Sequence, residues 1–213
     1  ALQRIRSASL QAISHRTGRG AFHLAALPTF TAKWLMPRLN RFYARHPGIL
    51  VHLHSRVTRF DLDLAGIDAV IAVGDGDWPG LASYRLMDEH VIPVISPELA
   101  ASHPIHKPAD LAQHSALIYM RHGRPNNTWS FRKGDVVQEV PVHSDYLCDD
   151  GEVARRWALA GHGVTYKAGL DVVRDIRAGR LVPLFEGWQG EPAPLNLMCP
   201  HRAQVSELSL IHI

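Results

Sequence analysis

Apolar and polar positions follow two periods along this chain, and the changes of period mark out an α/β order. The run Ala21 to Leu27 is apolar almost throughout and Ile49 to Ser55 alternates, so both read as strands. Between them Phe30, Trp34, Leu35, Leu39 and Phe42 form an apolar stripe at helical spacing, with Met36, Asn40 and Tyr43 on a neighbouring face. A strand, helix and strand in this order normally place two parallel strands side by side with a right-handed crossover. The helix then starts at the carboxyl edge of the sheet with free backbone N–H groups pointing outward. Anions and polar small molecules bind well at such a point. Thr29 and Thr31 add hydroxyls there, which either cap the helix or hydrogen-bond a ligand. Pro37 removes a helical N–H, which predicts a kink unless it falls near the first turn.

Asp61 to Ala65 reads as a short helix and Ala69 to Val73 as a strand covered on both faces. Residues 85 to 95 read as one further strand, and Ser96 followed by Pro97 fits an N-cap and a first helical position. Ala116 to Met120 is a strand; Thr128 to Arg132 and Val136 to Val142 flank Lys133-Gly134-Asp135 as a hairpin. Asp149 or Asp150 caps a helix with Val153, Trp157 and Ala160 on its apolar side, and Val164-Thr165-Tyr166 is a short central strand. A helix over 168 to 178 ends at Gly179. Leu181 to Phe185 continues extended, and Leu195 to Cys199 closes the order as a strand.

With 213 residues the chain can bury a substantial core, as one large domain or two lobes. No run of about 18 apolar residues exists, and Ala1 to Arg19 is too polar for a secretory signal. Cys148 and Cys199 are isolated and lack metal spacing, which favours two reduced thiols over a disulfide. The formal charge of +3 comes from scattered Lys and Arg, and neither a helix-turn-helix nor another nucleic-acid signature is present. Gly74-Asp75-Gly76 follows a strand, but Trp78-Pro79-Gly80 cannot open a regular helix, so a dinucleotide fingerprint is not assigned. Among the 14 histidines, His52 and His54 share one strand face, yet no third ligand stands at recognisable spacing, and no metal is assigned. Asp149, Asp150 and Glu152 suit acid–base work, but capping at a helix start explains them as well. No nucleophile elbow or phosphate loop appears, so no catalytic residue and no cofactor are assigned.

Several motifs in order carry a family resemblance. Pro28-Thr29-Phe30, Trp34-Leu35-Met36-Pro37-Arg38-Leu39, Phe42, Arg45-His46-Pro47, Asp68, Gly74 and Trp78-Pro79-Gly80-Leu81 come first. Pro93 to Pro97, Trp129-x-Phe131, Asp150-Gly151-Glu152, Gly161-His162-Gly163 and Gly179-Arg180-Leu181-Val182 follow. Together they resemble the effector-binding domain of LysR-type transcriptional regulators over about residues 21 to 200. The resemblance implies a type 2 periplasmic-binding-protein-like α/β fold, with two Rossmann-like lobes joined by two crossover strands. Residues 1–19 would end a linker helix, 20–95 with 195–213 would form lobe I, and 96–194 lobe II. It implies a cytoplasmic sensor without enzymatic activity or membrane association, holding an organic acid or amino-acid-like metabolite in the interlobe cleft. It also implies a homodimer or homotetramer using Met36, Asn40 and Tyr43, and DNA contact only through a winged helix-turn-helix ahead of this chain.

The ligand-binding positions so implied are Thr29, Phe30, Thr31 and Trp78 from lobe I and Ser96 at the crossing. Lobe II would add Met120, Arg121, Trp129, Asp149, Tyr166 and Lys167. Each has a structural alternative: a cap, a turn, a packed aromatic or a solvated charge. Ala72 stands where the resemblance implies an arginine in many relatives, so a contact made by that arginine is not expected here. The end, Gln204 to Ile213, is shorter than the closing helix region the family leads one to expect. A solute-binding protein of a transport system is the alternative function, and an enzyme acting through Asp149 to Glu152 a third.

Overall fold

The computed structural model describes residues 22–45, 47, 50–55, 67–75, 80–121 and 123–199. The expected linker remnant, the helix at Asp61 to Ala65, Trp78 and the segment Gln204 to Ile213 lie outside them. The first part of the chain forms β1 (Phe22–Ala26), helix α1 (28–45), β2 (Val51–His54), β3 (Ala69–Val73), β4 (Ala82–Met87), β5 (Val91–Ile95) and α2 (Pro97–Ser102). A 3-10 turn (Pro108–Gln113) leads to β6 (Ser115–Arg121), β7 (Arg124–Pro125), β8 (Thr128–Lys133), β9 (Val136–Pro141) and β10 (His143–Cys148). Then follow α3 (Gly151–Leu159), β11 (Val164–Ala168), α4 (Gly169–Arg177), β12 (Val182–Pro183), β13 (Gln189–Gly190) and β14 (Leu195–Cys199). Two compact units result, residues 1–88 with 194–213 (unit 1) and 89–193 (unit 2), where the steps read from the sequence were 95/96 and 194/195.

Unit 1 is built on a sheet in the order β2-β1-β3-β14-β4. β1, β2 and β3 are mutually parallel, while β14 runs antiparallel to β3 and β4. The expected strand, helix and strand unit is therefore present, and Leu195–Cys199 returns to this sheet between β3 and β4. Helix α1 is composite: Pro28–Phe30 is α-helical, Thr31–Leu35 is a π turn, and Met36–Arg45 is α-helical again. The wide turn has a cause in Pro37, whose ring would strike the carbonyl of Lys33 in a regular helix. Its consequence is a shifted stripe. Phe30, Leu35, Leu39 and Phe42 are the buried positions, the first two at a spacing of five, and Trp34 instead stacks on Phe30 at 5.0 Å.

Unit 2 is built on a sheet in the order β10-β6-β11-β5-β12, with a small antiparallel sheet β13-β8-β9 beside it. Its central strands are covered on both faces, which is why they read as continuous apolar runs. Ala116 and Ile118 pack with Trp129, Phe131 and Tyr166, whereas Leu117 packs with Val94, Ala158, Val172 and Leu181. The β8–β9 hairpin turns through Gly134-Asp135, and Gly134 takes the positive φ of +58° that a first turn position of this type demands.

Two expected elements differ. Residues 85 to 95 form two strands, because the Glu89 carboxylate turns back to accept from the N–H groups of His90 and, 81 residues on, Leu170. Leu181 to Phe185 is extended only at Val182–Pro183, since Phe185 adopts φ 62°. Among the described residues no helix is long and apolar enough to cross a membrane.

Candidate functional site

The start of α1 gathers polar groups behind β1 in unit 1. Leu27 occupies the N-cap and Pro28 the first helical position, so no side chain caps the first turn. The capping role left open for Thr29 and Thr31 is therefore not the one they perform. Both are buried, at 3% and 9% exposure, and Thr31 Oγ1 has no hydrogen-bond partner among the described residues. A buried hydroxyl left unpaired costs about 1–3 kcal/mol. The N–H groups of Thr29 and Phe30 belong to a first turn that no intrahelical acceptor reaches. Donors, two hydroxyls and the positive end of an 18-residue helical run thus converge at the carboxyl edge of β1.

In unit 2 the strands β6, β10 and β11 run parallel and end at one edge of the sheet. That edge brings together Met120, Arg121, Asp149 and Lys167. Ser96 does not join them: β5 runs antiparallel to β11, so Ser96 follows its strand at the opposite edge. There it is a buried N-cap, accepting from the Leu99 N–H at 3.2 Å. Lys167 is paired with Asp171 at 2.7 Å. Asp149 is exposed, and its neighbour Asp150 is the cap of α3, accepting from the Glu152 N–H at 2.8 Å. The side chain of Arg121 lies outside the described residues.

Trp129 and Tyr166 belong to the core of unit 2. The rings stack at 4.9 Å, the indole N–H donates to the Asn126 carbonyl at 3.0 Å, and the phenol donates to the Ser130 carbonyl at 2.6 Å while accepting from the Glu191 N–H. Burial pushes the Tyr166 hydroxyl well above its usual pKa. The packing alternative accounts for every polar atom of these two side chains.

Three features gave no signal in the sequence. First, Asp175 is fully buried and receives Arg155 through Nε (2.6 Å) and Nη2 (2.8 Å) and Arg180 through Nη2 (2.6 Å), tying α3 to the end of α4. Burial works against the Arg155 charge, but Asp175 and Glu152 more than offset it and hold its pKa above the ordinary value. Second, Asn196 lies in register with Ala72 and is buried, its amide donating to the Gly74 carbonyl and its oxygen accepting from Arg85 Nε at 3.0 Å. A satisfied amide thus pairs with the position that lacks the family's arginine. Third, His23 of β1 stands in register with His52 of β2 and completes a three-imidazole group with His54, contrary to the expectation that no third ligand is near. Burial, then the neighbouring His52 and His23, lower the His54 pKa.

On α1, Met36, Asn40 and Tyr43 are exposed, Met36 by 54% and Tyr43 by 37%. Both cysteines are free thiols, and burial pushes Cys199 up to about 11.

The family model described as LysR substrate binding domain matches residues 15–209. This chain belongs to that family. Among curated LysR relatives, it is 32% identical over 171 residues to the glycine cleavage system transcriptional activator of Escherichia coli, covering 80% of this chain and 55% of that protein. It is 39% identical over 148 residues to the HTH-type transcriptional activator AmpR of Pseudomonas aeruginosa, covering 68% and 48%. The chain thus spans about half the length of the curated relatives it matches. The fold matches the regulatory domain of CrgA, a LysR-type regulator of Neisseria meningitidis, with a TM-score of 0.76 at 24% identity over 92% of this chain and 95% of that one. The AmpR effector domain from P. aeruginosa matches with a TM-score of 0.66 at 26% identity, over 91% and 92%. The α/β, type 2 periplasmic-binding-protein-like fold of LysR effector-binding domains is therefore the fold of this chain.

Proposed function

We propose that this LysR substrate-binding domain is the effector-sensing part of a transcription regulator, and that its effector is held at the start of α1. The unpartnered Thr31 hydroxyl beside an uncapped first turn carries this reading. An organic acid or amino-acid-like metabolite fits, because a carboxylate accepts from the first-turn N–H groups and complements the positive helix end. Thr29, Phe30 and Thr31 are the unit 1 residues of this site. In unit 2, Ser96 is used as a cap, and Trp129 and Tyr166 are packed in the core.

The ligand is bound and not transformed. Its differential affinity for two states of the domain is what shifts their populations and alters the output. The DNA is contacted through a helix-turn-helix in the part of the regulator that this chain does not span, and the regulator acts in the cytoplasm. The exposed Met36, Asn40 and Tyr43 face supports assembly as a homodimer or homotetramer. No observation favours the solute-binding or enzymatic alternatives. The test is calorimetry against a panel of organic acids and amino acids, with the native chain, Thr29→Val and Thr31→Val. Binding by the native chain that weakens at least about tenfold in both variants supports the reading; equal affinity in all three overturns it.

A further inference from the structure

We propose that unit 1 carries a site for a late first-row divalent cation such as Zn2+, made by the imidazoles of His23, His52 and His54. The placement follows from strand geometry. Residues two apart on a strand point to the same side, which puts His52 and His54 together. β1 and β2 are parallel and pair His23 with His52 and Ala25 with His54, so His23 presents its ring on that same side. One ligand atom from each residue lies within 4.8 Å of the others, and His23 Nδ1 is 3.0 Å from His54 Nε2. The ring centroids are separated by 4.3 to 5.2 Å.

Zinc holds imidazole nitrogen at about 2.0–2.1 Å, so tetrahedral nitrogens stand roughly 3.3 Å apart. Side-chain rotations of about an ångström therefore bring the set onto an ion. The parts that must stay fixed and those that must adjust are distributed accordingly. His23 is held by its main chain, which donates to Asp68 Oδ2 at 2.8 Å and accepts from the Asp68 N–H at 2.9 Å. His52 and His54 sit on β2, at an edge of the sheet among the described residues, and His52 is exposed, which gives an ion a path from solvent. Three neutral nitrogen donors without thiolate or carboxylate suit Zn2+, Cu2+ or Ni2+ and do not suit Mg2+ or Ca2+. Three protein ligands also leave a fourth position for water. Without metal, the His23–His54 contact is an imidazole hydrogen bond, which is the competing account.

The experiment titrates Zn2+ into the metal-stripped full chain by calorimetry near neutral pH, with Co2+ absorption as a second readout of coordination. The native chain is expected to take one equivalent with micromolar or tighter affinity, and to melt at a higher temperature when loaded. His52→Asn, His54→Asn and His23→Asn should each weaken that equivalent by about tenfold or more and remove the melting shift. His143→Asn, an exposed histidine of β10, should change neither. Metal-free melting curves report whether each variant folds, and the exposed His52→Asn decides if His23→Asn does not. Binding by the native chain no tighter than by His52→Asn, or no stoichiometric binding, overturns the site.

Discussion

Helices α1 and α2 begin with the same grammar and end up with opposite chemistry. Each follows a buried strand after a single bridging residue, and each has proline at its first helical position. At α2 the bridging residue is Ser96, whose hydroxyl accepts from Leu99 and closes the first turn. At α1 it is Leu27, whose carbonyl accepts from the Thr31 N–H but whose side chain caps nothing, and the nearby Thr31 hydroxyl is buried without a partner among the described residues. The starts of α3 and α4 follow α2, served by Asp150 and by the distant Glu89. A cap is worth about 0.5–2 kcal/mol, so a helix start without one marks a place where stability has been left for a ligand to supply.

The contrast can be broken at several points. The largest effect should come from Asp175→Ala, which removes the buried carboxylate shared by Arg155 and Arg180 in unit 2 and leaves Arg155 only Glu152; a loss of about 3 kcal/mol in denaturant unfolding is expected. Thr31→Val should do the reverse, keeping or raising stability while weakening effector binding by at least about tenfold, or about 1.4 kcal/mol. Ser96→Ala should cost about 1 kcal/mol in stability and leave effector affinity unchanged, since that hydroxyl is already engaged as the cap of α2. The mildest change is Leu27→Ser, which installs the missing cap: a gain of up to about 1 kcal/mol in stability is expected, with weaker effector binding in calorimetry. A Leu27→Ser variant that binds as well as the native chain would uncouple the cap from the site.

How much of this was legible in the sequence follows from how local each signal is. Ser96-Pro97 and Asp150 were readable because a cap and its helix are neighbours in the chain. The β1–α1–β2 unit was readable from its two periods. The opposite placement of Ser96 was not, because it depends on β5 running antiparallel to β11, a matter of topology. Likewise Asp175 meets Arg155 across 20 residues, and His23 meets His54 across 31, through packing and strand register that no spacing rule reveals. The π turn was half readable: Pro37 announced a disturbance, but only the wide turn explains why Leu35 rather than Trp34 is buried beside Phe30.

The most direct test of the central claim follows backbone amide resonances of the 15N-labelled chain while the effector selected by calorimetry is added. The account predicts that the amides of Thr29, Phe30 and Thr31 shift most in unit 1, because the ligand accepts from the N–H groups of Thr29 and Phe30 and meets the Thr31 hydroxyl. Shifts confined to other parts of the chain, with these three amides unmoved at saturation, would contradict it.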